Sequence, residues 1–185
     1  TKKGWIINKY IKGRDLFTFY EKDELASLSH KDMINMMIEI ASALEILHSH
    51  DIYHLDIKPE NILIHDDGVT LIDYGFCQLA GQLYCKCRLT ASYGAPEMLA
   101  RGGHPFFKDP ITEKTDIYSL GVVFYFMSKL KIPFYACSVD SYSAKIKNLE
   151  KIPGDNIHNL IVKMMRINPH KRPSLTEIIE KLKGI

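Results

Sequence analysis

The chain has 185 residues, room for one domain with a core of its own. Its 24 basic and 22 acidic side chains are interspersed and leave a formal net charge of +2, so bulk charge points to neither nucleic acid nor an anionic membrane as partner. No apolar run is long enough to span a bilayer, and the first residues lack the apolar stretch of a secretory signal.

In chain order, residues 5–10 are rich in β-branched and aromatic side chains and predict a short strand, broken by Gly13. Residues 15–20 predict the start of a helix. Ser29, with Asp32 three residues later as an imperfect capping partner, predicts the start of a long one. On it Met33, Met36, Met37, Ile40, Ala41, Leu44 and Leu47 fall along one stripe, which should be buried along its length. From Ile52 the pattern changes to short strands. Residues 62–64 and 69–72 flank Asp66-Asp67-Gly68, a hairpin signal because glycine tolerates positive φ. Residues 75–112 read as a long irregular segment, and such segments inside compact domains are usually functional. The rest is helical: a strongly apolar helix over 116–129, an amphipathic one over 156–166, and a last one opened by a capping box of Ser174 and Glu177. The fold class expected is mainly α, one helical domain with a small β-hairpin at its active edge.

The four cysteines, Cys77, Cys85, Cys87 and Cys137, fit no disulfide framework, so an intracellular location, cytoplasmic or nuclear, is expected. Cys85-Lys86-Cys87 has no second pair to complete a zinc site.

The segment His54-Leu55-Asp56-Ile57-Lys58-Pro59-Glu60-Asn61, then the hairpin, then Asp73-Tyr74-Gly75, holds the residue types that phosphoryl transfer asks for. That reaction needs an oriented nucleophile, fixed metal ions and offset negative charge, with little covalent help from protein. Asp56 can accept a hydroxyl proton, and Lys58 can place a cation beside the transferring phosphoryl. The amide oxygen of Asn61 and the carboxylate of Asp73 are hard oxygen donors suited to Mg²⁺. The hairpin between them folds the chain back, so both ligands should reach one place. Singly, Asp56 and Asp73 would pass for ordinary surface charges; together, at this spacing, they form a signature.

This pattern resembles the protein kinase family, in which H-R-D-x-x-x-x-N is followed by D-F-G and then A-P-E. Here His54, Asp56 and Asn61 stand at that spacing, then Asp73-Tyr74-Gly75, then Ala95-Pro96-Glu97. Residues 89–97 look like the family's substrate-facing loop, Asp116-Ile-Tyr-Ser-Leu-Gly121 like the start of its buried central helix, and Asn168-Pro-His-Lys-Arg172-Pro173 like the segment whose Arg pairs with the Glu of A-P-E. Lys58-Pro59-Glu60 is similar to serine/threonine rather than tyrosine kinases.

The resemblance implies ATP and Mg²⁺ as cofactors and a protein Ser or Thr hydroxyl as acceptor. It implies catalytic roles for Asp56, Lys58, Asn61 and Asp73, with Asn61 and Asp73 as metal ligands. Residues 8–15 look like the hinge beside the adenine, so Asp15 would reach the ribose and Leu63 would pack under the base. Thr90 would hydrogen-bond near Asp56 and Lys58. Asp116 would accept hydrogen bonds from the backbone of the catalytic loop, and Glu97 with Arg172 would form a buried structural ion pair. His54 is expected to be structural, and Tyr10, Tyr74 and the methionine stripe to be core.

Three features depart from the family. Leu55 stands in place of the Arg that meets an activation-segment phosphate, so switching by that route is not expected. Tyr74 replaces the Phe of D-F-G, and its hydroxyl then needs a partner. No G-x-G-x-x-G occurs within the 185 residues, nor the V-A-I-K lysine and its Glu partner. Residues 1–185 are therefore expected to be the hinge and C-terminal lobe of a protein kinase domain, a fragment or a processed chain given Thr1 in place of Met. Two functions follow: the catalytic lobe of an active kinase, or a truncated lobe that binds another kinase and inhibits or scaffolds it. Partners to expect are a Ser/Thr protein substrate and another kinase or a segment carrying a small lobe.

Overall fold

The computed structural model describes residues 9–81, 92–99, 111–133 and 139–185. The strand expected over 5–10 falls mostly outside these residues, as do Thr90, Cys85, Cys87 and Cys137.

The helices are α1 (Leu16–Glu21), α2 (His30–Ser49), α3 (Pro96–Leu99), α4 (Glu113–Lys129), α5 (Val139–Glu150), α6 (Asn156–Met164) and α7 (Leu175–Lys183). The strands are β1 (Gly13–Asp15), β2 (Ile52–Tyr53), β3 (Ile62–His65), β4 (Gly68–Leu71) and β5 (Gln78–Leu79). The fold is mainly α with two small antiparallel sheets, one of order β1-β3-β4 and one pairing β2 with β5.

The helix starts follow from local hydrogen bonding. Ser29 caps α2, its Oγ accepting from the Asp32 amide and donating to the Asp32 carboxylate. Thr112 caps α4 and Asp155 caps α6. Ser174 and Glu177 form the expected capping box at α7, with both reciprocal bonds present.

Helix α4 is the axis of the core, with every residue from Thr115 to Met127 buried. Helix α2 packs on α7 and on β4, and α6 packs on α4. The buried face of α2 is Ile34, Met37, Ile40, Ala41 and Leu44. Met33, Met36 and Leu47 lie at its margins, only partly buried, so the stripe is narrower than expected and includes Ile34.

Strand β3 turns into β4 through Asp66 and Asp67, with His65 opposite Gly68 at φ +118°. The Ile72 amide donates to the Asn61 carbonyl (3.0 Å), closing the other end of the hairpin. Gly13 opens β1, while most of the strand it was expected to end lies outside the described residues. Gly13 pairs with His65, and a Cβ there would stand 2.5 Å from the Ile64 carbonyl oxygen, so only glycine lets β1 approach β3 this closely.

Candidate active site

The loop between β2 and β3 carries the first cluster. Asp56 is buried, with Lys58 Nζ donating to its Oδ2 (2.7 Å) and Asn61 Nδ2 donating to the same oxygen (2.9 Å) and to the Asp56 carbonyl (2.8 Å). Both atoms facing the Asn61 amide are acceptors, so the NH₂ must lie there and Oδ1 is the atom left for a ligand. Asn61 closes a 3₁₀ turn begun by Pro59, which presets the backbone for it.

Asp73 follows β4, exposed and left-handed at φ 62°. Its Oδ1 accepts from the Gly75 amide (3.2 Å). Because Ile72 pairs with Asn61 across the hairpin, Asp73 emerges at the same end of the sheet as Asn61. A carboxylate and an amide oxygen at one hairpin end suit Mg²⁺, which keeps several waters and is completed by phosphate oxygens. Among the described residues no group of three or more His, Cys, Asp or Glu side chains forms a protein-only metal cage.

Asp15 and Leu63 are direct partners in the β1–β3 register and share one face of the sheet. The Asp15 carboxylate caps α1, taking the Thr18 amide on Oδ1 (2.8 Å) and the Thr18 hydroxyl on Oδ2 (2.7 Å). Burial works to raise its pKa, but these bonds, with further backbone ones, outweigh it and hold the group below the usual carboxylate range.

The loop is fixed from below by a wholly buried carboxylate. Asp116 Oδ2 accepts from the His54 amide (2.8 Å) and Oδ1 from the Leu55 amide (2.7 Å). His48 Nε2, at the end of α2, lies 2.9 Å from Oδ2, so this ring nitrogen carries its proton. Leu55 sits at φ 63°, a backbone region unfavourable for its side chain, with that side chain in the core. The buried His54 reaches the Ile72 carbonyl through Nε2 (3.1 Å), tying the loop to the segment before Asp73. Cys77 is reduced, its thiol 3.7 Å from the His54 carbonyl.

The expected Glu97–Arg172 pair is present. Two parallel bonds of 2.6 and 2.8 Å join the buried side chains, and the remaining guanidinium donors reach carbonyls of Lys114, Arg166 and Ile167. The structure corrects the expectation that Tyr10 and Tyr74 are core. Tyr10 is 85% exposed, ahead of the first described strand with nothing packed over it among the described residues. Tyr74 is 49% exposed: its hydroxyl donates to the Leu71 carbonyl (2.7 Å) and its ring lies 5.6 Å from that of His54, tilted by 53°. Partial burial, then Cys77, raises the pKa of that hydroxyl.

The sequence reading missed His48. Its only local sign was a histidine in the last turn of α2.

Comparison with known proteins agrees with this geometry. A family model described as the protein kinase domain matches residues 1–182. The chain is 31% identical over 188 residues to sperm motility kinase 3A of Mus musculus, covering 96% of this chain and 35% of that protein. It is 29% identical to CBL-interacting serine/threonine-protein kinase 12 of Arabidopsis thaliana, over 96% of this chain and 37% of that protein. It is 28% identical to serine/threonine-protein kinase 16 of Mus musculus, over 99% of this chain and 66% of that protein. The chain thus spans about a third of the first two relatives' length. No helix among the described residues is long and apolar enough to cross a membrane. The matched length and the order of the motifs together place this chain in the protein kinase family.

Proposed function

We propose that this chain carries the phosphoryl-transfer site of a serine/threonine protein kinase, moving the γ-phosphoryl of ATP to a protein hydroxyl. The observation that supports it most is the meeting of Lys58 and Asn61 on one oxygen of Asp56, beside the hairpin end where Asp73 emerges. In this reading residues 1–185 are the hinge and C-terminal lobe, and the serine/threonine preference rests on Lys58-Pro59-Glu60 and on the names of the relatives.

Asp56 orients the acceptor hydroxyl and takes its proton as the oxygen attacks the γ-phosphorus and the bond to the bridging oxygen of ADP breaks. Lys58 offsets charge on the transferred group and donates to Asp56 Oδ2 at 2.7 Å. Asn61 Oδ1 and Asp73 would hold Mg²⁺, which when bound neutralises the phosphates and keeps them in line. Leu63 would lie under the adenine, and Asp15, one strand over on the same face, would use the lone pairs left by Thr18 to accept a ribose hydroxyl. Asp116 and His48 act through the backbone of the loop as positioning residues.

The test is transfer of γ-labelled phosphate to a serine/threonine protein by a longer protein that contains these residues together with a glycine-rich loop and its lysine. Transfer abolished by Asp56→Ala is expected. Unchanged transfer in Asp56→Ala, or transfer to tyrosine alone, would overturn the reading. The 185 residues by themselves should be slower by about a thousandfold or more, since the phosphates then lack a clamp.

A further inference from the structure

Away from this site, α5, α6 and the 3₁₀ turn at Pro169–Lys171 meet around two adjoining clefts of about 370 and 450 Å³. Arg166 and Glu150 line both and form the ridge between them. Lys147 and Lys171 line the first cleft and Lys163 the second, so four cations face one carboxylate. Among the described residues neither Lys147, Lys163 nor Lys171 has a carboxylate within ion-pair distance, and the Arg166–Glu150 contact is long, at 4.0 Å.

Arg166 is the ordered member of this set. Its carbonyl accepts from Arg172 Nε (2.7 Å), which anchors its backbone to the buried Glu97–Arg172 pair, and its Nη1 reaches the Lys171 carbonyl (3.4 Å). With Nε 4.0 Å from Glu150, Nη2 is left without a protein hydrogen bond among the described residues, on a side chain that is 39% exposed and lines both clefts. A planar fork held in place between ammonium groups is the arrangement that binds a phosphoryl group with two parallel hydrogen bonds. A free anion would fill only one cleft. Two clefts that share Arg166 and Glu150, with Lys147 and Lys171 lining one and Lys163 the other, suit a segment with acidic residues flanking the phosphate.

We propose that this face binds a phosphorylated, acidic segment of a partner protein, with the phosphoryl group at Arg166 between Lys147 and Lys171. The proposal rests on the charge and shape of this face and stands or falls independently of the catalytic reading, because its test reads binding.

The experiment is fluorescence anisotropy on residues 1–185 with a labelled peptide carrying phosphoserine among Asp and Glu, beside the same peptide with unmodified serine. The phosphopeptide should bind about tenfold more tightly or better, and Arg166→Ala should remove that preference. The double variant Lys147→Glu, Lys171→Glu alters only exposed side chains and should keep the native circular dichroism and melting temperature while losing about tenfold in affinity. Inorganic phosphate should displace the peptide only far above the peptide's own binding range. Equal affinity for the two peptides, a folded double variant with native preference, or displacement by inorganic phosphate as effective as by unlabelled phosphopeptide would each overturn the proposal.

Discussion

The loop between β2 and β3 meets α4 at Asp116, and the two are held by different means. Along α4 the chain is regular and buried from Thr115 to Met127, stabilised at about 1.5–3 kcal/mol per large apolar side chain removed from water. The loop buries Leu55 and Ile57 as well, but that area does not set its irregular backbone. Leu55 and Asp73 both take left-handed backbone, which for a residue such as leucine costs about 1–3 kcal/mol. Polar contacts offset that cost: the loop amides on Asp116, His54 on the Ile72 carbonyl, Asn61 on Asp56. Apolar area decides how the helices pack, and a few buried acceptors decide the conformation of the loop that the rigid helix presents. A substitution in the helical part should therefore show in stability, and one in the loop chiefly in local order and chemistry.

The largest effect should come from breaking the ion pair of the helical part. Arg172→Ala strands Glu97 in the interior and should cost about 3–5 kcal/mol in urea unfolding, whereas replacing both residues by apolar ones of similar volume should cost much less. A mild Arg172→Ala would mean that the pair is better solvated than its burial implies.

Asp116→Asn comes next. It converts one of two acceptor oxygens into a donor facing the loop amides, at about 1–3 kcal/mol. The comparison is sharpened by hydrogen exchange: the Leu55 amide should exchange much faster in this variant, while the amides of α7 change only by the global loss. Uniform acceleration would mean that the loop and the helices open as one unit.

These contrasts follow how the sequence could be read. Spacing alone brought Asp56, Lys58 and Asn61 together, because five residues around one proline-started turn leave few ways to arrange them. Asp116 under the loop and Glu97 with Arg172 were legible only through the family's motif order, since 62 and 75 positions separate the partners in sequence. His48 was not legible: its partner lies 68 residues away and no motif marks it. Strands β2 and β5 have two residues each and β1 three, too short to carry a period of two. The exposure of Tyr74 escaped because an aromatic side chain reports its size, not which of its faces will be covered.

Leu55 allows a smaller test. It offers no guanidinium to a phosphate, so phosphatase treatment of a longer protein that carries a complete nucleotide site should leave its transfer rate unchanged. A large loss traceable to that segment would contradict the reading of Leu55.

The smallest effect belongs to the start of α7. The Ser174 amide, donating to Glu177 Oε2 at 2.7 Å, and then the Ser174 hydroxyl, lower the Glu177 pKa below its usual value. A lowered folded-state pKa contributes stability above the usual carboxylate range and loses it as the pH falls through the folded-state value. Ser174→Ala should cost about 0.5–2 kcal/mol at neutral pH and less in acid. A cost that does not shrink in acid would mean that the cap acts without the ionised carboxylate.

The measurement that bears most directly on the site is Mg²⁺-dependent nucleotide binding, compared in Asp73→Ala and Asp56→Ala within a longer protein that carries a complete nucleotide site. Both substitutions should abolish most phosphate transfer. If Asp73 holds the metal and Asp56 the acceptor hydroxyl, Mg²⁺-nucleotide affinity should fall sharply in Asp73→Ala and stay near native in Asp56→Ala. Equal affinity in the two variants would contradict the roles assigned to these two carboxylates.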